Sequence, residues 1–408
     1  MGIIVQKYGG SSLADAGKIK NVARRIVARK EQGNEMVVVV SAMGKTTDLL
    51  IDLAHELSDT PEDREMDVLM STGETVSSTL MVMALHAMGH DAISLSGGQA
   101  GIRTDKVHRK ARILSIKPKR VHAELDRGRV VIVAGFQGLT QDADADITTL
   151  GRGGSDTTAV ALAAALGGET CEIYTDVEGV YTADPRIVPE ARKLNEISYD
   201  EMLELASVGA KVMHSRAVEV GGVYNIPILV ASSFKEASGT LIHGGVSVEQ
   251  FKKVRGIAHD LDVAKVTVRH VPDQPGIAAA IFEPLTEAHV SVDTIVQNAS
   301  EEKLTDLTFT VSRTDLRKAL SVIEKTAKEI GAREVVSDEK LGKVSIVGTG
   351  MQSAPGYASR MFRTLSDAGI NIDMISTSEI RITCIVEEDR VKDAVKALHK
   401  AFALDTPE

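Results

Sequence analysis

The chain has no tryptophan, 3% aromatic residues and two cysteines in 408 positions. So few rings leave little to stack on bases. A net charge of −10 supplies no basic stripe either, which excludes nucleic acid as a partner. Cys171 and Cys384 lie far apart, ruling out a disulfide framework and fitting a reducing, cytoplasmic setting. No apolar run reads as long enough to cross a membrane. The opening GIIVQKYGG runs straight into a strand without a basic leader or cleavage site. Gln6 stands where a myristoylation signal starting at Gly2 needs Ser or Thr.

What is present is first a length that calls for two or three domains. Over the first ~240 residues, apolar strands such as EMVVVV and RVVIVAG alternate with helical stretches, the first near Asp15–Gln32. That alternation implies an α/β fold, a mainly parallel sheet covered on both faces, with ligands at the carboxyl ends of its strands. Glycines gather at those ends: Gly9-Gly10, Gly44, Gly97-Gly98, Gly135, Gly151–Gly154 and Gly179. The stretch LGRGGSDTTAVALAAALGG, residues 150–168, puts glycines, Arg152, Ser155 and Asp156 ahead of an almost wholly apolar helix. Such a helix has no polar face for solvent, so it is buried, and its N-terminal amides open onto an anion.

Past Ser238-Gly239 the texture changes, and residues 243–260 read as a linker. A repeat follows. Pro275, Phe282, Leu285, Val292, Asp293 and Ile295 return 80 positions later as Pro355, Phe362, Leu365, Ile372, Asp373 and Ile375. Each copy reads strand, Pro-Gly turn, helix, strand, strand, helix, strand, a ferredoxin-like βαββαβ module. The expected domains are therefore 1–242, 261–340 and 341–408.

Two motifs mislead. AMGKTT ends like a phosphate-binding P-loop, but its first glycine would fall on Val39, inside a strand. VGTGMQS fails the dinucleotide pattern because Ser353 replaces the third glycine. KYGGSS is stronger: Lys7 precedes a Gly9-Gly10 pair whose amides are free for an anion. TDVEGVYTADPR gathers Thr175, Asp176, Tyr181, Asp184, Pro185 and Arg186 in one loop, and GAKVMHSRA carries Lys211 and Arg216.

In this order, KYGGSS, MSTGE, GRGGSDTTA, TDVEGVYTADPR and GAKVMHSRA resemble the blocks of the amino-acid-kinase superfamily and, within it, the aspartate kinase family. The repeat resembles the tandem ACT domains that follow its kinase domain, and no dehydrogenase segment follows, as in the monofunctional form. Ser215 departs from the pattern where many relatives have proline, which bears on a helix start rather than on chemistry.

The resemblance implies MgATP-dependent phosphorylation of L-aspartate, at the head of lysine, threonine and methionine biosynthesis. It implies a catalytic set of Lys7, Asp156 and Lys211, and a substrate set of Thr47, Glu74, Leu125, Asp126, Arg152, Gly153, Gly154 and Ser155. ATP would meet Lys7, Tyr8, Gly9, Gly10, Ser41, Thr175, Asp176, Tyr181, Asp184, Pro185, Arg186 and Lys211. Lysine or threonine as effector would meet Asp273, Gly276, Ile277, Ala278, Ser291, Val292, Asp293, Gln297 and Asn298, in modules that pair into a homodimer or larger assembly. No protein-held metal site is expected.

Residue chemistry agrees with this set. Arg152 offers a planar fork for an α-carboxylate, and Glu74 a negative partner for an ammonium. A carboxylate nucleophile is already ionised at neutral pH, so no general base is required. Two alternatives stay open: a kinase of the same fold acting on another carboxylate such as N-acetylglutamate, and an inactive amino-acid-binding regulator. Glu74 discriminates against the first, since an acetylated amine has no charge. Intact Lys7, Arg152 and Asp156 argue against the second.

Overall fold

The computed structural model describes residues 2–210, 212–245, 253–298, 303–351 and 354–406. It divides into two compact units: Met1–Tyr181 with Lys193–Ser207 and Lys211–Ser247, and Thr182–Arg192 with Val208–Ala210 and Val248–Glu408.

The first unit opens with β1 (Ile3–Tyr8), α1 (Ala16–Glu31), β2 (Glu35–Val40), α2 (Thr46–Leu57) and α3 (Asp63–His86). Next come β3 (Ala92–Leu95), β4 (Ile102–Thr104), β5 (Ile113–Ile116), α4 (Lys119–Leu125), β6 (Val130–Ala134), β7 (Gln137–Thr140) and β8 (Ile147–Thr149). It continues through α5 (Gly154–Leu166), β9 (Thr170–Thr175), β10 (Glu196–Ile197), α6 (Tyr199–Ser207), α7 (Ser215–Tyr224), β11 (Ile228–Ser232) and β12 (Thr240–Ile242). The main sheet runs β10-β12-β11-β9-β1-β2-β6-β3, parallel except where β11 meets β12. Its strands β2 and β6 are mostly β-branched and buried on both faces, as helices on either side require. A smaller sheet, β5-β4-β7-β8, lies in the same unit.

Helix starts follow local chemistry. Asp15 caps α1 by accepting from the Lys18 amide at 2.9 Å. His214 caps α7, so Ser215 takes the first helical position, where proline is equally at home. α3 is long and apolar enough to span a membrane by length and composition, against the expectation of no such run. One face of it packs into the core, where Met66, Asp67, Met70, Glu74, Ser77, Met81 and Leu85 are buried, while Val76, Leu80 and Met83 stay exposed.

The second unit contains β13 (Gly256–Asp260), β14 (Ala264–Pro272), α8 (Ile277–Glu287), β15 (Ile295–Gln297), β16 (Leu304–Val311), α9 (Arg313–Glu329) and β17 (Glu334–Asp338). It ends with β18 (Leu341–Val347), α10 (Tyr357–Asp367), β19 (Met374–Thr377), β20 (Arg381–Glu387) and α11 (Val391–Ala401). The first module is the expected βαββαβ, with sheet order β15-β16-β14-β17. The second reads β19-β20-β18-β13 in the same layout, but among the described residues no strand follows α11. Its fourth strand is β13, which pairs antiparallel with β18 from Gly256↔Val347 to Asp260↔Lys343. Two expectations are corrected here. The segment 243–260 is not all linker, because residues 256–260 are a strand. The first module is also inserted into the second rather than preceding it.

A third correction concerns the span 1–242. Thr182–Arg192 packs with the second unit, where Ala183 and Val188 join the core of Ile257, Val344 and Leu398. The Ile257 amide donates to the Thr182 carbonyl at 2.8 Å, and the Thr182 hydroxyl bonds His399 Nε2 at 3.0 Å. Between the two modules, Val263, Leu341, Met374 and Ile385 form a small core with Val296. Crossed ion pairs flank it: Lys265 with Asp373 at 2.7 Å, and Lys343 with Asp293.

Candidate active site

The carboxyl ends of β1, β2, β6 and β9 form one edge of the main sheet, and most of the predicted groups meet there. Lys7 is the second-last residue of β1, and its ammonium lies 2.6 Å from Asp156 Oδ1 in the first turn of α5. Both side chains are about one-tenth exposed (12% and 11%), so the pair is held out of bulk water, where its Coulomb attraction is strong. Gly9 donates to the Tyr174 carbonyl of β9 at 3.3 Å, and Ser41 to the Tyr8 carbonyl at 3.1 Å, which knits the three strand ends together. Gly10 is required by space: a Cβ there would lie 2.7 Å from the Ala42 carbonyl oxygen. The Tyr8 side chain turns away from this edge. It is fully buried and stacks on Tyr174 with ring centroids 4.9 Å apart.

The start of α5 accounts for the glycines. Gly153 takes the left-handed conformation at φ 66 as N-cap, and no side chain caps the helix. The Gly154 amide donates to the Gly151 carbonyl at 3.0 Å and the Asp156 amide to the Gly153 carbonyl at 3.1 Å, so among the described residues it is the Ser155 amide that is left for a ligand. A Cβ on Gly153 would fall 2.2 Å from His214 Cβ, so the main chain runs where only glycine fits. Ser155 is buried against Gly135 at the end of β6, and Arg152 stands exposed ahead of the helix. α5 itself is buried over almost its whole length.

Glu74, on the buried face of α3, accepts from the Ala42 amide at 3.1 Å through Oε1. Its Oε2 is buried and has no hydrogen-bond partner among the described residues. Burial raises the carboxyl to about 7, an effect the Ala42 amide only partly opposes. A buried carboxylate oxygen without a donor needs an explanation, and an incoming cation supplies one. Thr47 sits in the first turn of α2, next to Thr46, whose methyl would lie 3.7 Å from a Cβ on Gly73, and Ser77 donates to the Ser41 carbonyl at 2.8 Å.

Two predicted groups fall elsewhere. Leu125 and Asp126 end α4 just before β6 begins at Val130. Because β6 runs parallel to β2, that is the amino end of the sheet, opposite Lys7; the pair is not part of this edge. Asp184, Pro185 and Arg186 belong to the second unit, where Arg186 pairs with Asp184 at 2.8 Å and holds its carboxyl below the usual range. Lys211 lies outside the described residues. Thr175 and Asp176 stay at the end of β9, while Tyr181 bridges to Lys193. Sequence reasoning missed Asp67, a fully buried carboxylate seven residues before Glu74 in EMDVLMSTGE. It closes the charged stretch PEDREMD, so nothing in its neighbourhood set it apart.

In the second unit, Gly276 is the left-handed N-cap of α8, with Asp273 before it and Ile277 and Ala278 after it. Ser291, Val292, Asp293, Gln297 and Asn298 lie in and around β15 of the same module. Asp293, expected to meet an effector's ammonium, holds the ammonium of Lys343 instead. Both cysteines are free and buried, and burial pushes the Cys384 thiol up to about 12.

A glycine-lined strand edge with an enclosed Lys–Asp pair and an uncapped helix start defines a small-molecule kinase built on a parallel sheet. Residues 2–232 match the amino acid kinase family, and residues 266–328 and 344–402 each match the ACT domain. The aspartate kinase of Pseudomonas putida is 53% identical over 409 residues, covering 100% of this chain and 99% of its own. Among solved structures, Escherichia coli aspartokinase III in complex with aspartate and ADP (R-state) is 25% identical at a TM-score of 0.81, with 98% of this chain and 99% of that one covered. The same enzyme in complex with lysine and aspartate (T-state) is 26% identical at 0.74, with the same coverage. The chain belongs to the aspartate kinase family.

Proposed function

We propose a division of labour for the aspartate kinase reaction, in which the γ-phosphoryl group of ATP passes to the β-carboxylate of L-aspartate to give 4-phospho-L-aspartate. Glu74 takes the substrate's α-ammonium through its unpartnered Oε2, and Arg152 takes the α-carboxylate. Thr47 and Ser155 complete the substrate pocket. Lys7 neutralises charge on the moving phosphoryl group, and Asp156 keeps the Lys7 ammonium aimed at the strand edge. The Gly9 amide is taken by Tyr174, so the amides of Gly10 and Ser155 receive phosphate or carboxylate oxygens. Ser41, Thr175, Asp176 and Tyr181 lie toward the nucleotide, with Lys211 as a second cation.

Among the described residues no group of three or more acidic, histidine or cysteine side chains could hold a metal ion. Mg²⁺ would enter on the nucleotide phosphates, as this ion commonly does. Bound there, Mg²⁺ supplies charge neutralisation between the phosphates.

The observation that carries the reading is the unpartnered oxygen of Glu74, which suits a cation and so favours a free amino acid over an N-acylated one. ATP consumption with L-aspartate but not N-acetylglutamate is the expected result, and the reverse preference overturns it. The paired ACT modules take lysine, threonine or both as feedback effectors and join chains into a dimer or larger assembly. Light scattering of the full chain with and without these amino acids tests both points.

A further inference from the structure

The guanidinium of Arg152 has no partner among the described residues, so the main chain on either side sets its position. That main chain is gripped from two sides. Arg216 donates to the Leu150 carbonyl at 2.7 Å and to the Ala111 carbonyl at 3.0 Å. On the other side stands Asp67, 0% exposed on α3. It accepts from the Thr149 hydroxyl at 2.5 Å, from His108 Nδ1 at 2.8 Å and from the Arg109 amide at 3.1 Å. Arg109 sits at φ 63, a left-handed conformation that costs a non-glycine residue and that the bond to its amide helps to hold. Its carbonyl in turn lies against the loop, since a Cβ on Gly151 would meet it at 2.9 Å. Thr149, the end of β8, and the Arg109 turn thus both connect Asp67 to Gly151 and Arg152.

Asp67 and Glu74 are seven residues apart, two turns of α3, and share its buried face. We propose that Asp67 is a positioning residue of the aspartate site. It ties the strand and turn flanking Gly151-Arg152 to the helix that bears Glu74, and so fixes the spacing between the groups that take the two ends of the amino-acid head. In L-aspartate the α-ammonium and α-carboxylate sit on one carbon, so the span they require is fixed. A loop that drifts by an ångström satisfies one partner at the expense of the other. The inference rests on the roles given above to Arg152 and Glu74.

Steady-state kinetics of the full chain test it. Thr149→Val removes the hydroxyl at nearly constant shape, and Asp67→Asn turns one acceptor oxygen into a donor. Each is expected to raise KM for aspartate about tenfold, the scale of one buried hydrogen bond, with kcat within about threefold and KM for ATP unchanged. Thr149→Ser, which restores the hydroxyl, should recover most of the loss. If Asp67→Asn fails to fold, the Thr149 pair decides alone. An unchanged KM for aspartate in Thr149→Val overturns the proposal, as does a parallel loss in kcat and in both KM values, which marks general loosening. Arg152→Ala separates the layers. If it raises KM for aspartate while Thr149→Val does not, only the positioning role falls. If Arg152→Ala leaves that KM unchanged, the substrate-site reading falls and takes the positioning role with it.

Discussion

Helices α5, α8 and α10 all begin on a left-handed glycine, at φ 66, 93 and 101, and none has a side-chain cap, yet they begin in different surroundings. At Gly153 of α5 the nearest atoms would overlap a Cβ outright, whereas nothing lies within 4 Å of one at Gly276 or Gly356. α5 is buried nearly all round, and its amide end meets the Lys7–Asp156 pair. α8 and α10 bury one face and leave their amide ends open. A glycine at a helix start therefore reports only the path of the main chain. Enclosure by charged partners is what makes such an end a site, and among the described residues the exposed ends of α8 and α10 lack it.

The comparison breaks first, and most severely, at Lys7. Lys7→Ala is expected to lower kcat by roughly 100-fold or more with little change in KM for aspartate, and a near-normal kcat would return α5 to the company of α8.

Glu74 gives the next effect. Its carboxyl is raised to about 7, so below that pH the free enzyme loses the charge that meets the ammonium. The value of kcat/KM for aspartate should fall about tenfold per unit well below pH 7, and Glu74→Gln should flatten the profile at a low value. Because the folded value lies above the unfolded one, the ligand-free protein is favoured by this group at low pH and loses that contribution as pH rises through about 7. Glu74→Gln should accordingly raise Tm of the ligand-free protein at pH 8, measured by calorimetry. A flat wild-type profile from pH 5.5 to 8 removes Glu74 from the ammonium role.

Smaller effects sharpen the contrast between helix starts. Gly153→Ala should cut turnover severalfold through its collision with His214, while Gly276→Ala meets only the left-handed penalty of about 1 kcal/mol. Equal losses of Tm in the two variants would show that enclosure is irrelevant. In the second unit, Asp293→Ala should bring the ratio of rates with and without lysine plus threonine toward one. An unchanged ratio would detach Asp293 from regulation.

Much of this was legible in the sequence because it is local. Strand ends marked by glycine, the apolar run of α5 and the order of the motifs all lie within short windows, and Lys7, Ser41, Glu74, Ser155 and Asp156 stand at one edge of the sheet. What escaped depends on partners distant in the chain. GIAHD looks like a linker until β18 pairs with it some 80 residues on. Leu125-Asp126 precedes β6 and so lies at its amino end, a placement that a parallel sheet already implies and that the role taken from the resemblance did not weigh. Asp67 is satisfied by His108, Arg109 and Thr149, all at least 41 positions away, so no window around it reveals its work. Asp293 carries a recognisable repeat position, yet its ion partner Lys343 comes from the other copy.

The insertion of one module into the other orders events on the ribosome. β13 emerges first among the strands of its sheet, and the whole inserted module, from β14 to β17, must follow before β18 offers it a partner. At ordinary elongation rates of about 5–20 residues per second, that leaves an unpaired strand waiting for several seconds, with Ile257 and Ala258 uncovered. The inserted module has all four of its own strands by Asp338 and can close while β13 still waits. Synthesis thus completes the inner module before the outer one that encloses it.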